Sequence, residues 1–216
     1  NYAYATARIK SKKSLLLTND NYPKLLMMDL NEIGRFMGET QYKTEMAELA
    51  SKYSGVDLIE LGTSRNLAHT YRSIIGFCSG DLKEIVAGYL RRWDMWNIKT
   101  ILRGKYSNAT VEEIQEDLVP AGTLSEEDLN ALLAIDSMSE ILETSARKLS
   151  IQVPADITLS LERDGNLAAV EDYLDFIYYQ RLLASIDPNK KSDSQFLSFV
   201  KREIDIVNLR TLLKLK

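Results

Sequence analysis

One twelve-residue pattern occurs twice in this chain, and no other feature of the sequence constrains the fold as strongly. "DMWNIKTILRGK" begins at Asp94 and "DIVNLRTLLKLK" begins at Asp205, a constant offset of 111 positions. Both fit D-x-x-N-[IL]-[KR]-T-[IL]-L-[RK]-x-K. We call this pattern the signature, and its aligned polar residues are Asp94 with Asp205, Asn97 with Asn208, Thr100 with Thr211, and Arg103 with Lys214. An agreement of this length predicts that one structural unit has been duplicated.

The similarity continues upstream of the signature. "YRSIIGF" at 71–77 resembles "YQRLLASI" at 179–186, and "LLMMDLNEIGRFMGET" resembles "LLAIDSMSEILETS" more faintly. The sequence therefore predicts two tandem homologous domains, residues 1–108 and 109–216. Units of this size are much longer than the repeats of about 34 residues that form short-period helical solenoids.

Apolar residues recur at intervals of three and four, which is the period of an amphipathic helix. In "LAHTYRSIIGFC", for example, they fall at Leu67, Tyr71, Ile74, Ile75 and Cys78. The pattern predicts helices over 4–17, 22–38, 67–78 and 81–104, and an all-α fold.

Two helix starts and one ambiguous segment complete this interpretation. Thr110 with Glu113, and Ser137 with Glu140, have the spacing of capping boxes, in which a hydroxyl and a carboxylate bond the free amides of a first helical turn. Residues 149–161 alternate weakly between apolar and polar, which would fit a strand. Pro154 and the helical surroundings favour a connector or another helix.

The signature places a carboxylate on the apolar side of its own helix. At 100° per residue, Asp94 falls between Ile101 and Ile98, and Asp205 repeats this position. A buried carboxylate must be paired or hydrogen-bonded, since an unsatisfied buried polar group costs about 1–3 kcal/mol. Two interpretations remain: the aspartate and asparagine tie the helix to a neighbouring element, or they form a ligand or proton site. Occurrence in both copies favours the structural interpretation.

The composition excludes several classes of site. His69 is the only histidine and Cys78 the only cysteine, which removes multi-histidine metal sites and internal disulfides. The sequence has no G-x-x-x-x-G-K-[ST] loop for phosphate. We therefore expect no catalytic, cofactor or metal site. His69 remains the single candidate base for an enzymatic mechanism, although its sequence neighbours suggest no partner for it.

Nucleic acid and membrane spans are also disfavoured. The formal net charge is −4, whereas a nucleic-acid-binding face needs clustered positive charge. Trp93 and Trp96 lie beside basic residues and fit base stacking, but Ile204 and Val207 replace them in the second copy. We expect a larger buried contact at 93–96 than at 204–207. No apolar run reaches the roughly 18–20 residues of a transmembrane helix.

The segments "YATARIKSKKSLL" and "PAGTL", together with the twice-occurring signature, resemble the C subunit of archaeal-type (A-type) ATP synthases, the counterpart of the V-ATPase d subunit. The resemblance implies a funnel of three helical domains with pseudo-threefold symmetry, of which the third is missing here. It also implies a non-catalytic protein that links the membrane rotor-ring subunits to the central-stalk subunits and transmits torque for proton- or sodium-driven ATP synthesis. Such a protein would lie peripherally on the cytoplasmic face of the cell membrane.

Two other functions compete with this expectation. The first is a generic helical scaffold with no rotary partner. The second is an enzyme that uses Asp94 or Asp205 as an acid.

Overall fold

A computed structural model of the chain describes residues 2–214, without the side chains of Lys191 and Ser192. Within this range the secondary structure is helical and contains no strand, which confirms the predicted all-α class. The strand alternative for 149–161 is wrong: Ser150 ends one helix in a left-handed conformation (φ 53°), and the next helix begins at Ala155. The connector between them contains Pro154.

The first part of the chain surrounds one long helix. Its helices are α1 (Tyr2–Lys13), α2 (Asn21–Leu25), α3 (Leu30–Met37), α4 (Lys43–Leu49) and α5 (Gly55–Phe77). The long helix α5 packs against α1, α3 and α4. At the contact with α4 a Cβ on Gly62 would lie 2.5 Å from the Met46 methyl carbon, so the two helices approach through a position that has no side chain.

The second part contains the signature helices. They are α6 (Asp81–Leu90), α7 (Arg92–Tyr106), α8 (Val111–Glu116), α9 (Glu126–Leu133), α10 (Met138–Leu149), α11 (Ala155–Asp164), α12 (Leu167–Ala184) and α13 (Lys191–Lys214). The first signature lies on α7 and the second on α13.

Four predicted helix boundaries need correction. The helix predicted over 4–17 ends at Lys13, and the segment 67–78 is only the last part of α5. The helix predicted over 22–38 is divided into α2 and α3, because Asp29 and Glu32 form a reciprocal capping box that starts a new helix. The helix predicted over 81–104 is divided at Arg91, where the Asp94 amide donates to the Arg91 carbonyl three residues back (3.0 Å) in a tight turn.

Of the two predicted capping boxes, the first forms completely: Thr110 and Glu113 bond each other's backbone amides reciprocally. The second forms by half, since the Ser137 hydroxyl accepts from the Glu140 amide.

Helix α7 lies at the centre of the largest apolar core. Its Ile98, Ile101 and Leu102 are fully buried, and the helix packs against α8, α9, α10 and α12. Leu132 of α9 and Ile141 of α10 belong to the same buried cluster. The helix thus lies before the predicted boundary at residue 108 but contributes to a core built mainly from residues after it. The division into 1–108 and 109–216 stays a prediction.

Helix α13 is buried only in its first half. Val200 is buried, and the Phe196 ring meets the Tyr89 ring edge-on with 5.9 Å between centroids. From Asp205 to Lys214 every residue is exposed. The second signature therefore lies almost entirely in this exposed half.

Candidate functional site

Asp94 is a fully buried carboxylate that holds the loop of residues 119–124. Its Oδ2 accepts hydrogen bonds from the Thr123 amide (2.9 Å) and the Thr123 hydroxyl (2.7 Å), and its Oδ1 accepts one from the Leu124 amide (2.8 Å). Burial raises the pKa of the Asp94 carboxyl above its ordinary value, and the hydrogen bonds from Leu124 and Thr123 oppose that rise. The carboxylate is satisfied entirely by one neighbouring segment.

Asn97, one turn further along α7, binds the other end of the same loop. Its side-chain nitrogen donates to the Val119 carbonyl and its side-chain oxygen accepts from the Val119 amide, both at 2.8 Å. The Val119 carbonyl also accepts from the Ala121 amide (2.7 Å), which closes a three-residue turn. Asp94 and Asn97 together fix both ends of a six-residue loop against α7.

Gly122 lets the loop reach the carboxylate. A Cβ at this position would lie 2.2 Å from Asp94 Oδ1 and 2.5 Å from Asp94 Cγ. Real Cβ atoms do not approach other atoms so closely, and the carboxyl group is held by its own hydrogen bonds. Glycine is therefore required at this position because a Cβ would collide with Asp94, and not because the backbone has an unusual φ angle.

The loop leads directly into α9 through a capping box. The Ser125 hydroxyl accepts from the Asp128 amide, and the Asp128 carboxylate accepts from the Ser125 amide and hydroxyl (3.0 Å each). Lys148 of α10 also donates to Asp128 (2.5 Å). These hydrogen bonds lower the pKa of Asp128 to about 2, and the bond from Lys148 has the largest effect. The loop is thus fixed at α7 and at the start of α9.

Two of the predicted signature residues lie on the other side of α7. Arg103 makes two hydrogen bonds of 2.5 Å to the carboxylate of Glu171 on α12. Thr100 is half-buried and lines an open groove together with Trp96. The first signature thus joins α7 to two neighbours, the 119–124 loop and α12.

The second signature has a different environment. Asp205, Asn208, Thr211 and Lys214 are all exposed, and the Thr211 hydroxyl donates only within its own helix, to the Val207 carbonyl (3.0 Å). The burial expected for both copies is found only in the first. The greater burial expected at 93–96 is observed, but it comes from Asp94 and Met95 and not from the tryptophans, since Trp93 is half-buried and Trp96 is 48% exposed. In the second copy Ile204 is half-buried and each of the residues 205–207 is exposed.

The apolar residues of the second signature are exposed as well. Leu209, Leu212 and Leu213 are 59%, 63% and 73% exposed, whereas the aligned residues of α7 are the fully buried Ile98, Ile101 and Leu102. The difference lies in what packs against the helix and not in its sequence.

A polar cluster that sequence reasoning missed connects α13 to the rest of the chain. The Glu203 carboxylate accepts from Arg92 Nη2 (2.9 Å), from the Tyr89 hydroxyl (2.9 Å) and from the Tyr179 hydroxyl (3.1 Å). Burial raises the pKa of Tyr89 to about 12, so its hydroxyl stays a donor. We call these four residues the Glu203 cluster. Tyr89 and Arg92 are three residues apart, but Tyr179 and Glu203 lie far from them in the sequence and the four follow no motif, so only their positions in space reveal the cluster.

His69 also makes an interhelical tie. Its Nδ1 lies 2.8 Å from Oε1 of the buried Glu45, whose Oε2 accepts from Asn66 Nδ2 (3.2 Å). Burial by itself raises the pKa of Glu45, but the hydrogen bonds from His69 and Asn66 lower it by more. The pKa of Glu45 therefore lies below its ordinary value. The candidate base is therefore engaged in holding α4 to α5.

Neither a metal cluster nor a membrane-spanning helix is found among the described residues. Within residues 2–214, no group of three or more His, Cys, Asp or Glu side chains is arranged to hold a metal ion. No helix in the same range has the length and apolar character needed to cross a membrane.

This fold and site define an all-helical protein, in which buried polar residues join one secondary-structure element to the next. More specifically, the chain belongs to the ATP synthase (C/AC39) subunit family, whose model matches residues 5–216. This is a family of structural subunits and not of catalytic ones.

The chain is similar over its full length to proteins named as the C subunit of A-type ATP synthases. It is 45% identical to that of Methanosarcina acetivorans and 44% identical to that of Methanococcoides burtonii, and it covers 59% of each. The relative from Archaeoglobus fulgidus is 39% identical, with 61% of its length covered. The chain therefore spans about three fifths of the relatives it matches.

Proposed function

We propose that this chain is a non-catalytic coupling subunit of an A-type ATP synthase. The observation that carries the proposal is the full-length similarity to relatives named as the C subunit of that complex. In this role the protein links the membrane rotor-ring subunits to the central-stalk subunits. It transmits torque for ATP synthesis driven by protons or sodium ions.

The packing around α7 suits a part that bears mechanical load. A close-packed interior deforms little, and the core around Ile98, Ile101 and Leu102 is fully buried. Asp94 and Asn97 add fixed hydrogen bonds to the 119–124 loop, and Arg103 adds a bidentate ion pair to α12. Such an arrangement passes force through many contacts.

The arrangement of the whole protein is part of the same proposal. The duplicated signature supports two homologous units, 1–108 and 109–216, within a pseudo-threefold funnel. The protein would lie peripherally at the cytoplasmic face of the membrane. The residues that contact ring and stalk belong to surfaces other than the buried signature of α7, since Asp94 and Asn97 are fully occupied inside the chain.

Reconstitution of the complex tests the proposal. The complete natural protein is omitted from, or added to, a preparation of the other ATP synthase subunits in sealed vesicles, and ATP hydrolysis and ion pumping are measured together. We expect hydrolysis to continue without the protein while pumping falls to background, and re-addition to restore pumping. Pumping that does not depend on the protein, or its failure to bind ring and stalk, would support the generic scaffold instead.

A further inference from the structure

A cavity of about 470 Å³ lies between α6, the start of α7, the end of α10 and α12. Its volume falls within the range of roughly 300–1,000 Å³ that is usual for small-molecule sites in proteins. We propose that this cavity binds a free organic anion with an apolar chain and a carboxylate or phosphate headgroup. The proposal rests on the residues that line the cavity and is independent of the coupling role.

Two walls of the cavity are built from residues spaced one helical turn apart. Lys83, Ala87 and Arg91 follow one another at intervals of four, and Arg91 keeps helical backbone angles (φ −57°, ψ −15°) at the end of α6. The three side chains therefore lie on one face of the helix. Ile177 and Arg181 have the same spacing on α12. On α6, the small Ala87 leaves space between two long basic side chains.

The floor of the cavity is apolar. Met95, Ile151 and Leu182 line it, and all three side chains are buried. Tyr178 is buried beside them, and its hydroxyl donates to the Tyr89 carbonyl (3.0 Å). Such a surface suits a hydrocarbon chain, because removing apolar groups from water is favourable on both sides of the contact.

The charged residues that line the cavity have an excess of positive charge. Lys83, Glu84 and Arg91 are exposed and form its rim, and Arg181 lines it from α12. Three positive charges and one negative charge give a formal sum of +2, whereas the whole chain has −4. An anion is therefore the ligand whose charge complements the site.

The three basic side chains are not neutralised by carboxylates of the chain. The basic residues of α7 that follow Arg91 each have an acidic partner: Arg92 with Glu203, Lys99 with Asp175, Arg103 with Glu171, and Lys105 with Asp136. Within residues 2–214, by contrast, Lys83, Arg91 and Arg181 form no salt bridge. Their charge is thus available to a ligand.

Arg181 is held in position by the end of α10. Its Nη1 donates to the Leu149 carbonyl (3.0 Å), and its Nη2 donates to the Ser150 carbonyl. A guanidinium has five N–H groups, so two of them bind these carbonyls and three remain. Because the side chain is already ordered, a ligand that contacts it loses less affinity to side-chain ordering.

Titration of the chain with octanoate tests this site directly. The methionine methyl groups are labelled with ¹³C, and octanoate is added as a monomer up to a few millimolar. We expect a saturable shift of the Met95 methyl signal, since Met95 lines the cavity floor. Met46 on α4 is also buried but does not line this cavity, and its signal should not move. Equal shifts of the two signals, or no shift of Met95, would overturn the proposal.

A charge variant and an uncharged ligand test the headgroup. Lys83→Gln with Arg91→Gln should weaken octanoate binding about tenfold, because both cations of the exposed rim are lost. The same variant should bind octanol as wild type does. Arg163→Gln with Lys201→Gln, at exposed residues outside the cavity, is the matched control and should leave octanoate binding unchanged. Octanoate binding that is equal in wild type and in the rim variant would contradict the proposed role of charge.

Ala87→Leu and lipid vesicles test where the anion binds and in which form. The larger side chain would project between Lys83 and Arg91, so it should abolish the shift of Met95 by octanoate, with circular dichroism confirming the fold. Undiminished binding by this folded variant would place the ligand elsewhere and overturn the proposal. Phosphatidylglycerol vesicles offer the same chemistry in a bilayer. A Met95 shift with vesicles and none with octanoate would also overturn it.

Discussion

At the scale of single residues, Gly122 is where the 119–124 loop comes closest to α7. Its Cα faces the Asp94 carboxylate with no room for a further carbon. Position 122 therefore requires a glycine because of its close contact with Asp94.

Gly122→Ala should lower the free energy of unfolding by about 1–3 kcal/mol, because the loop or the carboxylate must move and weaken its hydrogen bonds. Urea unfolding followed by circular dichroism would measure the change. Gly76→Ala is the matched control: its Cβ would meet nothing within 4 Å in a helical position. It should be neutral or stabilise by up to about 1 kcal/mol. Equal effects of the two substitutions would contradict the proposed close contact.

Asp128 gives a prediction with a defined pH dependence. Its pKa is lowered to about 2 from the ordinary 3.8, so its ionised form stabilises the fold above about pH 4, and this contribution is lost as the pH falls towards 2. Asp128→Asn should therefore be less stable than wild type at pH 7, and the difference should shrink on acidification. Unfolding free energies of both proteins at about pH 7, 4 and 2.5 would test this. A difference that grows on acidification would show that the sign is wrong.

At the scale of elements, the capped helix starts and the apolar periodicity were readable from the sequence, and several boundaries were not. Thr110 and Glu113 have the spacing of a capping box, and α8 begins directly after Thr110. The break at Arg91 depends on how α6 and α7 pack, and the local sequence continues a helical pattern through it. Asp29 and Glu32 have the spacing of a capping box, and the prediction of one helix over 22–38 overlooked this signal.

The Glu203 cluster connects α13 to α6, α7 and α12. A double-mutant cycle with Arg92→Met and Glu203→Gln should give a coupling energy of about 1 kcal/mol, a modest value because Arg92 is partly exposed to solvent. Thermal or urea unfolding of the four proteins would supply it. Additive effects of the two substitutions would show that the ion pair does not hold α13 in place.

At the scale of the whole molecule, the sequence shows that the signature is duplicated, but it does not show that the two copies differ in burial. A helical wheel places Asp94 and Asp205 on equivalent apolar faces, yet burial depends on the segment that packs against each face. The first face meets the 119–124 loop, which follows α7 in the chain after one short helix. No described residue takes that place against the second. Sequence periodicity indicates which side of a helix is apolar, and it does not reveal what covers that side.

The central claim is that Asp94 is buried and hydrogen-bonded whereas Asp205 is exposed. The unfolding free energies of Asp94→Ala and Asp205→Ala test this claim most directly. Asp94→Ala leaves the buried Leu124 amide and the amide and hydroxyl of Thr123 without their acceptor, and we expect a loss of about 3 kcal/mol. Asp205→Ala alters an exposed residue and should change stability by no more than about 0.5 kcal/mol in the 216-residue chain. Equal effects of the two substitutions, or an Asp94→Ala protein as stable as wild type, would contradict the account.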